Sequence, residues 1–438
     1  MSLLFTLFLL FQPAEADSSL PVLELDQAIE IGLEQNYGIR IERESVAMAE
    51  NNRKLGNAGF LPSVELTGSR TESIENSRFE LSGNPPESRE NRGATSTNSA
   101  AGVELTWTVF DGMRMFVSYE RLGELEELSQ VLLQSRVEET VQQIIQAYAH
   151  TVRIANQLNV FQELIDVTRE RIGITETMRD LGSGSEYALL EARTDLNADK
   201  AQLMQEQNRL QEAKIQLIEW MGIDQDLQFS VSDELPVNEG LQYNTIRAHA
   251  FQENSQLHMI RIEQRISDLE LQEVQRERWP ELELQSGYQY NRTDGGGGFM
   301  RFNETDGFMI GLTARINLFD GFEMNRRIQN AKIEQKSRQL QLQEENLRLE
   351  FALLRAWESY QNSLNLVRLE LNNLDNADER MEIALERFRE GMISALEFRE
   401  AQRVYLNAES RLIEARYRAK VAETELLRLG GSLTEIGI

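Results

Sequence analysis

The sequence predicts a mainly α fold with a smaller β component, made from two copies of one half-unit. Three observations lead there. The first is a long internal repeat: Asn36 pairs with Asn254, Phe60-Leu61-Pro62 with Arg278-Trp279-Pro280 and Leu66 with Leu284, each 218 residues on. Phe110-Asp111-Gly112 then pairs with Phe319-Asp320-Gly321 at 209, an offset that carries Gly182 onto Gly391, Glu191 onto Glu400 and Gly222 onto Gly431. Solenoid periods run about 20–50 residues, so this repeat is a duplicated fold half. The second is a pair of long proline-free stretches, Gly112 to Asp180 and Gly321 to Glu390. The third is a set of apolar/polar alternations that precede each stretch.

In chain order, Leu3 to Phe11 is an apolar run and Ala14-Glu15-Ala16 supplies small residues before Asp17, so residues 1–16 are expected to be an export signal, although no Lys or Arg precedes the run. Leu25 to Leu55 has helical periodicity, with Ile29, Leu33, Val46 and Met48 among charged residues, until Pro62 ends it. Alternation follows: Val64 and Leu66 against Glu65 and Thr67. After a Ser/Asn/Gly/Pro-rich loop expected over Ser82 to Asn98, Val103, Leu105, Trp107 and Val109 alternate with Glu104, Thr106 and Thr108. The second half repeats the pattern at Leu282, Leu284, Tyr288 and Tyr290, turns at Gly295 to Gly298, and resumes at Phe308, Ile310, Leu312, Ala314, Ile316 and Leu318. Strands of about ten residues with one apolar and one polar face fit a membrane barrel or an ordinary antiparallel sheet with one buried face. The smallest membrane barrels need about eight strands, so four facing lipid would require several chains.

The proline-free stretches could each reach roughly 100 Å as helix, at 1.5 Å per residue. Leu364, Val367, Leu371 and Leu374, then Met381, Leu385 and Phe388, step by three and four, and Val137, Val141, Ile144 and Tyr148 do so in the first copy. That spacing predicts coiled-coil seams. Leu181-Gly182-Ser183-Gly184 and Glu390-Gly391-Met392 break the helices, and return helices run to Gly222 and Gly430-Gly431. Each half therefore carries a long helical hairpin.

Composition excludes several functions. The 438 residues carry a net charge of −27, which opposes binding to nucleic acid phosphates or anionic lipid. With no cysteine there is no disulfide, thiolate or Cys-ligated metal site. The three histidines, His150, His249 and His258, form neither a metal-ligand spacing nor a nucleophile pair. Gly295–Gly298 lacks the Lys-Ser/Thr and helix start of a phosphate loop. No enzyme activity, cofactor or metal is expected. No segment apart from the leader approaches the ~18 apolar residues of a spanning helix.

From Leu23-Glu24-Leu25-Asp26-Gln27-Ala28 to Gly430-Gly431 the chain resembles the TolC family of bacterial outer-membrane efflux and secretion ducts. The resemblance is most specific at Asn317-Leu318-Phe319-Asp320-Gly321 and Gly391-Met392-Ile393-Ser394-Ala395-Leu396-Glu397. It implies a homotrimer whose four strands per protomer close a twelve-stranded transmembrane β-barrel, with Val103, Leu105, Trp107, Val109, Ile310, Leu312 and Ile316 facing outer-membrane lipid. It implies coiled-coil hairpins forming a periplasmic α-barrel, and a single duct unit of two repeats, 22–222 and 243–431, joined by an equatorial linker, 223–242. Such a duct is the exit channel of a tripartite efflux or type I secretion system. Its hairpin tips, here Leu181, Gly182, Ser183, Glu390, Gly391 and Met392, are expected to meet a periplasmic adaptor (membrane fusion) protein that joins them to an inner-membrane pump.

Counted from Gly391, the acidic residues with which the family closes its periplasmic end fall at Glu397 and Glu400, with Glu191 as the first-copy counterpart of Glu400. Three copies would crowd these carboxylates, raise some of their pKa values and bind multivalent cations. The chain departs from the family in having Ala188 opposite Glu397, and Ile393 and Phe388 where an arginine and a tyrosine link neighbouring hairpins; Arg387, Arg389 and Arg399 are candidate replacements. The alternative function is an exported trimeric coiled-coil scaffold or adhesin that carries no current.

Overall fold

The computed structural model describes residues 20–83, 87–224, 227–295 and 301–433; the expected export signal and Gly296–Gly298 of the expected turn lie outside them. The order of elements is β1 (Val22–Leu23), α1 (Leu25–Gln35), α2 (Tyr37–Asn52), β2 (Ser63–Leu81), β3 (Glu87–Phe110), α3 (Arg114–Asp180) and α4 (Glu186–Met221). There follow β4 (Ser230–Val231), α5 (Tyr243–Glu253), α6 (Ser255–Arg276), β5 (Glu281–Gly295), β6 (Phe302–Arg315), α7 (Glu323–Arg389) and α8 (Ala395–Leu429). The duplication is visible in this order, and α3 and α7 have the same length of 67 residues.

Three expectations need correction. The helix expected over Leu25 to Leu55 is two helices, broken at Asn36, whose side chain does what no helical residue could. Its Nδ2 donates to the Trp220 carbonyl at 2.9 Å, while its Oδ1 accepts from the Gly38 amide at 2.8 Å and starts α2. The break recurs at Asn254, whose Nδ2 donates to the Leu429 carbonyl at 3.1 Å. Next, the strands expected to be about ten residues long, β2, β3, β5 and β6, are 14 to 24. The loop expected over Ser82 to Asn98 is mostly strand, because the β2–β3 ladder continues past a bulge at Glu75/Ser77 to Leu81↔Glu87. Finally, Ile316 and Leu318 lie beyond β6, which ends at Arg315.

The chain divides into two compact units, each drawing on both repeats. One comprises Met1–Arg40, Arg136–Asn254 and Glu350–Ile438. Its core gathers Ala28, Val141, Ile144, Tyr148, Leu217 and Met221, so the expected seam residues Val141, Ile144 and Tyr148 are buried. The parallel pair β1–β4 lies beside it, and Tyr148 Oη donates to the Leu23 carbonyl at 3.0 Å. Along α7, Leu364, Met381 and Phe388 are buried as expected; Leu371 is exposed, and the adjacent Glu370 is buried and paired with Arg411 at 3.0 Å.

The other unit comprises Ile41–Ser135 and Ser255–Leu349. It holds the antiparallel sheet β2-β3-β5-β6. A small core joins Val131 of α3 to Met259, Ile262 and Ile266 of α6. The Phe-Asp-Gly motif turns strand into helix. Asp111 Oδ1 accepts from the Met115 amide at 3.2 Å and Asp320 Oδ2 from the Met324 amide at 2.8 Å. In each copy two consecutive residues, Gly112-Met113 and Gly321-Phe322, have positive φ. At Gly112 a Cβ would lie 2.6 Å from the Arg276 carbonyl oxygen, so glycine is required there.

Candidate functional site

Both hairpins turn by the same backbone device. Gly182 N donates to Arg179 O and Ser183 N to Met178 O, both at 2.9 Å; Gly391 N donates to Phe388 O at 3.0 Å and Met392 N to Arg387 O at 2.8 Å. These are Schellman stops, which place the glycine in the left-handed region at φ 76° and 71°. Leu181, Gly182, Ser183, Glu390, Gly391 and Met392 are all exposed or partly exposed around these turns. Two further apolar side chains stand exposed there, Tyr187 and Leu396, which are repeat equivalents. Sequence reading passed over them because single apolar residues on a helix look like seam positions.

Ser394 starts α8 with a reciprocal capping box. Its hydroxyl accepts from the Glu397 amide at 3.2 Å, while Glu397 Oε2 accepts from the Ser394 amide and hydroxyl, both at 2.8 Å. The Ser394 amide, then its hydroxyl, hold the Glu397 carboxyl below the usual carboxylate range. Glu400 is held low by its bidentate bond from Arg403, at 2.8 and 3.0 Å. Within one chain, then, both depart in the direction opposite to that expected of crowded carboxylates. Glu191 is exposed on α4. In the first copy Ser185 caps α4 through the Ala188 amide, and with alanine at that position the box has no second half.

Phe388 and Ile393 form no polar link. Phe388 stacks on Phe398 at 5.0 Å inside an apolar cluster with Met381, Ala384 and Ala401, against which Ile393 packs. Of the three candidate arginines, two join the hairpins. Arg389 of α7 bonds Glu170 of α3. Arg399 of α8 bonds Asp199 of α4 at 2.8 and 3.1 Å and lies 3.6 Å from Asp195. Those aspartates also accept from their own hairpin, Asp195 from Arg171 at 2.5 Å and Asp199 from Thr168 at 2.9 Å. Arg171 is 2% exposed with Nε unpaired, and Gln402 is 1% exposed with both amide atoms unpaired. Buried polar atoms without partners cost about 1–3 kcal/mol each, so this seam is weaker than an apolar one of equal area.

The sheet separates two chemistries. Its register sets Leu66, Val103, Tyr288 and Phe308 in one row, Val64, Leu105, Ser286 and Ile310 in the next, and Trp107, Leu284 and Leu312 in a third. Side chains alternate faces along a strand, so all three rows share one face. The opposite face carries Glu65, Glu104, Gly287 and Met309, with Thr106, Gln285 and Gly311 beside them. On β6, Phe308, Ile310 and Leu312 are 66–68% exposed, and Val103, Trp107 and Val109 are exposed on β3 while Leu105 is half-buried. Trp107 Nε1 donates to the Phe60 carbonyl at 2.9 Å and Tyr288 Oη to Asp306. Among the described residues the outer edges of β2 and β6 have no strand partner, and no helix is long and apolar enough to cross a membrane. No group of three or more metal-ligating side chains occurs among them either.

The model of the family described as outer membrane efflux protein matches residues 29–223 and 247–432. The chain belongs to that family. Among solved structures, the outer membrane efflux fold is shared with the outer-membrane channel OprN, at 17% identity and a TM-score of 0.75 over 93% of this chain and 90% of that one. The CmeC outer membrane channel of Campylobacter jejuni is similar at 14% identity and 0.74, over 93% and 86%. VceC, an outer membrane protein of Vibrio cholerae, is similar at 16% identity and 0.74, over 93% and 96%. No curated protein matches the sequence. At these identities the structural likeness speaks for the fold, a TolC-like channel fold with internal duplication.

Proposed function

We propose that the chain is the exit duct of a tripartite efflux or type I secretion system. Three copies close a twelve-stranded barrel in the outer membrane, and their helices form the periplasmic part of the conduit. In this reading the protomer is one duct unit of repeats 22–222 and 243–431 with the linker 223–242. The observation that carries it is the exposed apolar face spanning β2, β3, β5 and β6. From Leu282 to Tyr290 that band measures about 27 Å along the strand, before tilt. A water-facing sheet would not leave so large an apolar surface uncovered. On its other face Glu65 stands directly opposite Glu104, a repulsive pair in a dry core and harmless beside a water-filled lumen.

The hairpin tips meet a periplasmic adaptor through Leu181, Tyr187, Met392 and Leu396, beside Gly182, Ser183, Glu390 and Gly391. Passage is controlled by a cation-sensitive constriction of Glu397 and Glu400 with Glu191, and the closed arrangement is tied by Arg399 to Asp195 and Asp199. That tie replaces the links which Ile393 and Phe388 do not make. The test is extraction from outer membranes in detergent, mass determination and insertion into a planar bilayer. A trimer that conducts, is blocked by multivalent cations and conducts more as Arg399→Ala is expected. A trimer with no conductance under any condition would leave the scaffold reading instead.

A further inference from the structure

Near its end, α4 carries a lysine that is partly withdrawn from water. Lys214 Nζ donates to the Phe229 carbonyl at 2.5 Å and stands 5.3 Å from the centre of the Phe229 ring. Burial pulls its pKa below the usual lysine range, and among the described residues no carboxylate counters that shift. An ammonium has three donors, of which the Phe229 carbonyl takes one. The repeat offset of 209 puts Glu423 at the same position of α8. Glu423 is buried with Lys420 at 2.9 Å, and the Asn238 amide donates to it at 2.8 Å. The second repeat therefore neutralises this position from within, and the first leaves a cation without an anion.

Lys214 borders a groove of about 650 Å³ between α4, the first residue of α2 and the stretch that follows α4, all within one compact unit. Ile218 and Phe229, buried in the core, line it together with Tyr37, Ile215 and Leu227, which are 39–66% exposed. An apolar concavity of about 300–1,000 Å³ with one placed charge is how small-molecule sites are built. Glu219 and Asp224 also line the groove, but both are exposed and screened by water, whereas the charge of Lys214 is screened less.

We propose that this groove binds a single-chain anionic amphiphile, its carboxylate on the Lys214 ammonium and its alkyl chain over Tyr37, Ile215 and Leu227. One ammonium balances one charge, so the head is a monoanion; a doubly charged phosphate would leave an unpaired charge against apolar surface. The body is apolar because those three side chains expose apolar surface that contact would take out of water. The site uses no residue of the strands, the hairpin tips or the proposed gate, so it stands or falls independently of the duct reading.

The test uses the whole protein, purified in a neutral detergent and photolabelled with a dodecanoate that carries a diazirine at the end of its chain. Peptide mass spectrometry should find label on peptides holding Ile215 or Leu227, displaced by plain dodecanoate and not by dodecanol. Lys214→Arg, which keeps the charge, should retain the label, and Lys214→Met should lose it. Leu227→Asp should lose it as well, with the Lys214–Phe229 bond left in place. Dodecanoate should raise the unfolding temperature of the wild type and leave that of both label-free variants unchanged. Label missing from these peptides in the wild type, or undiminished in Lys214→Met, would overturn the site. Label gained only when Thr434 to Ile438 are deleted would make that segment, which follows Leu433 of the same core, the occupant instead. Label gained only in dissociated single chains would make it a second copy.

Discussion

Serine 394 shows how one residue can serve structure and site together. Its amide and hydroxyl both bond Glu397, so the proposed gate carboxylate is also half of a helix cap. The Ser394-x-x-Glu397 spacing announces such a box in the sequence, beside the charge that suggests a gate. The two roles oppose each other: crowding in a ring raises a carboxyl pKa, and donors to the charged form lower it. With a folded value below the unfolded one, the cap's contribution is present above the unfolded value and is lost as pH falls through the folded value. Cation block of the wild-type channel should therefore persist as pH falls through the ordinary glutamate range near ~4.3. Ser394→Ala should move the acid loss of block to higher pH and cost about 1 kcal/mol of stability. Conductance titrations and thermal unfolding of the pair check both; an unchanged midpoint in the variant would separate Glu397 from the block. At Arg171, buried against the half-buried Asp195, truncation to Ala should destabilise by about 1–3 kcal/mol, because it empties a buried site and removes a charge-assisted hydrogen bond. Chemical denaturation measures that loss.

Helices and strands were legible to different degrees, for physical reasons. The 67-residue helices α3 and α7 were found nearly to the residue, since proline-free heptad spacing bounded by Gly leaves few alternatives. The breaks at Asn36 and Asn254 were not, because each depends on a carbonyl at the end of another helix, Trp220 or Leu429. The polar half of the β2–β3 hairpin reads as loop in the sequence. Its ladder is backbone hydrogen bonding and needs no apolar side chains, so alternation stops where the apolar band stops while pairing goes on. The hairpin turns raise a question of their own: whether Gly182 and Gly391 serve docking or only the turn. A Cβ on Gly182 would meet nothing within 4 Å, so the constraint inside the chain is its positive φ alone. Gly182→Asn, which tolerates that conformation, should keep both fold and adaptor binding. Gly182→Val should cost about 1–2 kcal/mol from backbone strain. Tyr187→Asp with Leu396→Asp should leave thermal unfolding unchanged and abolish capture of the adaptor, measured by co-purification. Adaptor capture that survives the double change would place docking elsewhere.

For the whole molecule, the duplication was the most readable property, since two offsets account for helices, strands, turns and caps alike. What the sequence alone left open was whether the alternating faces meet lipid or a core, because an apolar strand face has the same pattern in both. The register supports the proposed lipid-facing arrangement more strongly than any single strand can. The row Leu66-Val103-Tyr288-Phe308 runs unbroken across all four strands, and beyond Tyr290 the same face carries Arg70, Ser99, Arg292 and Glu304. A band of apolar rows ending in aromatic and then charged ones is what a bilayer of limited thickness selects; a protein core has no such sharp upper limit. The consequence is a face-specific response to charge. Ile310→Arg, in the middle of the band, should reduce folding stability in lipid vesicles by about 2–4 kcal/mol. Thr313→Arg, on the same strand but the opposite face, should fold as wild type and change ion selectivity, because it adds charge to a water-filled lumen. Folding is followed by protease resistance in vesicles, selectivity by reversal potential. Equal damage from both arginines would mean that the sheet has a second apolar environment and is not the wall of a channel.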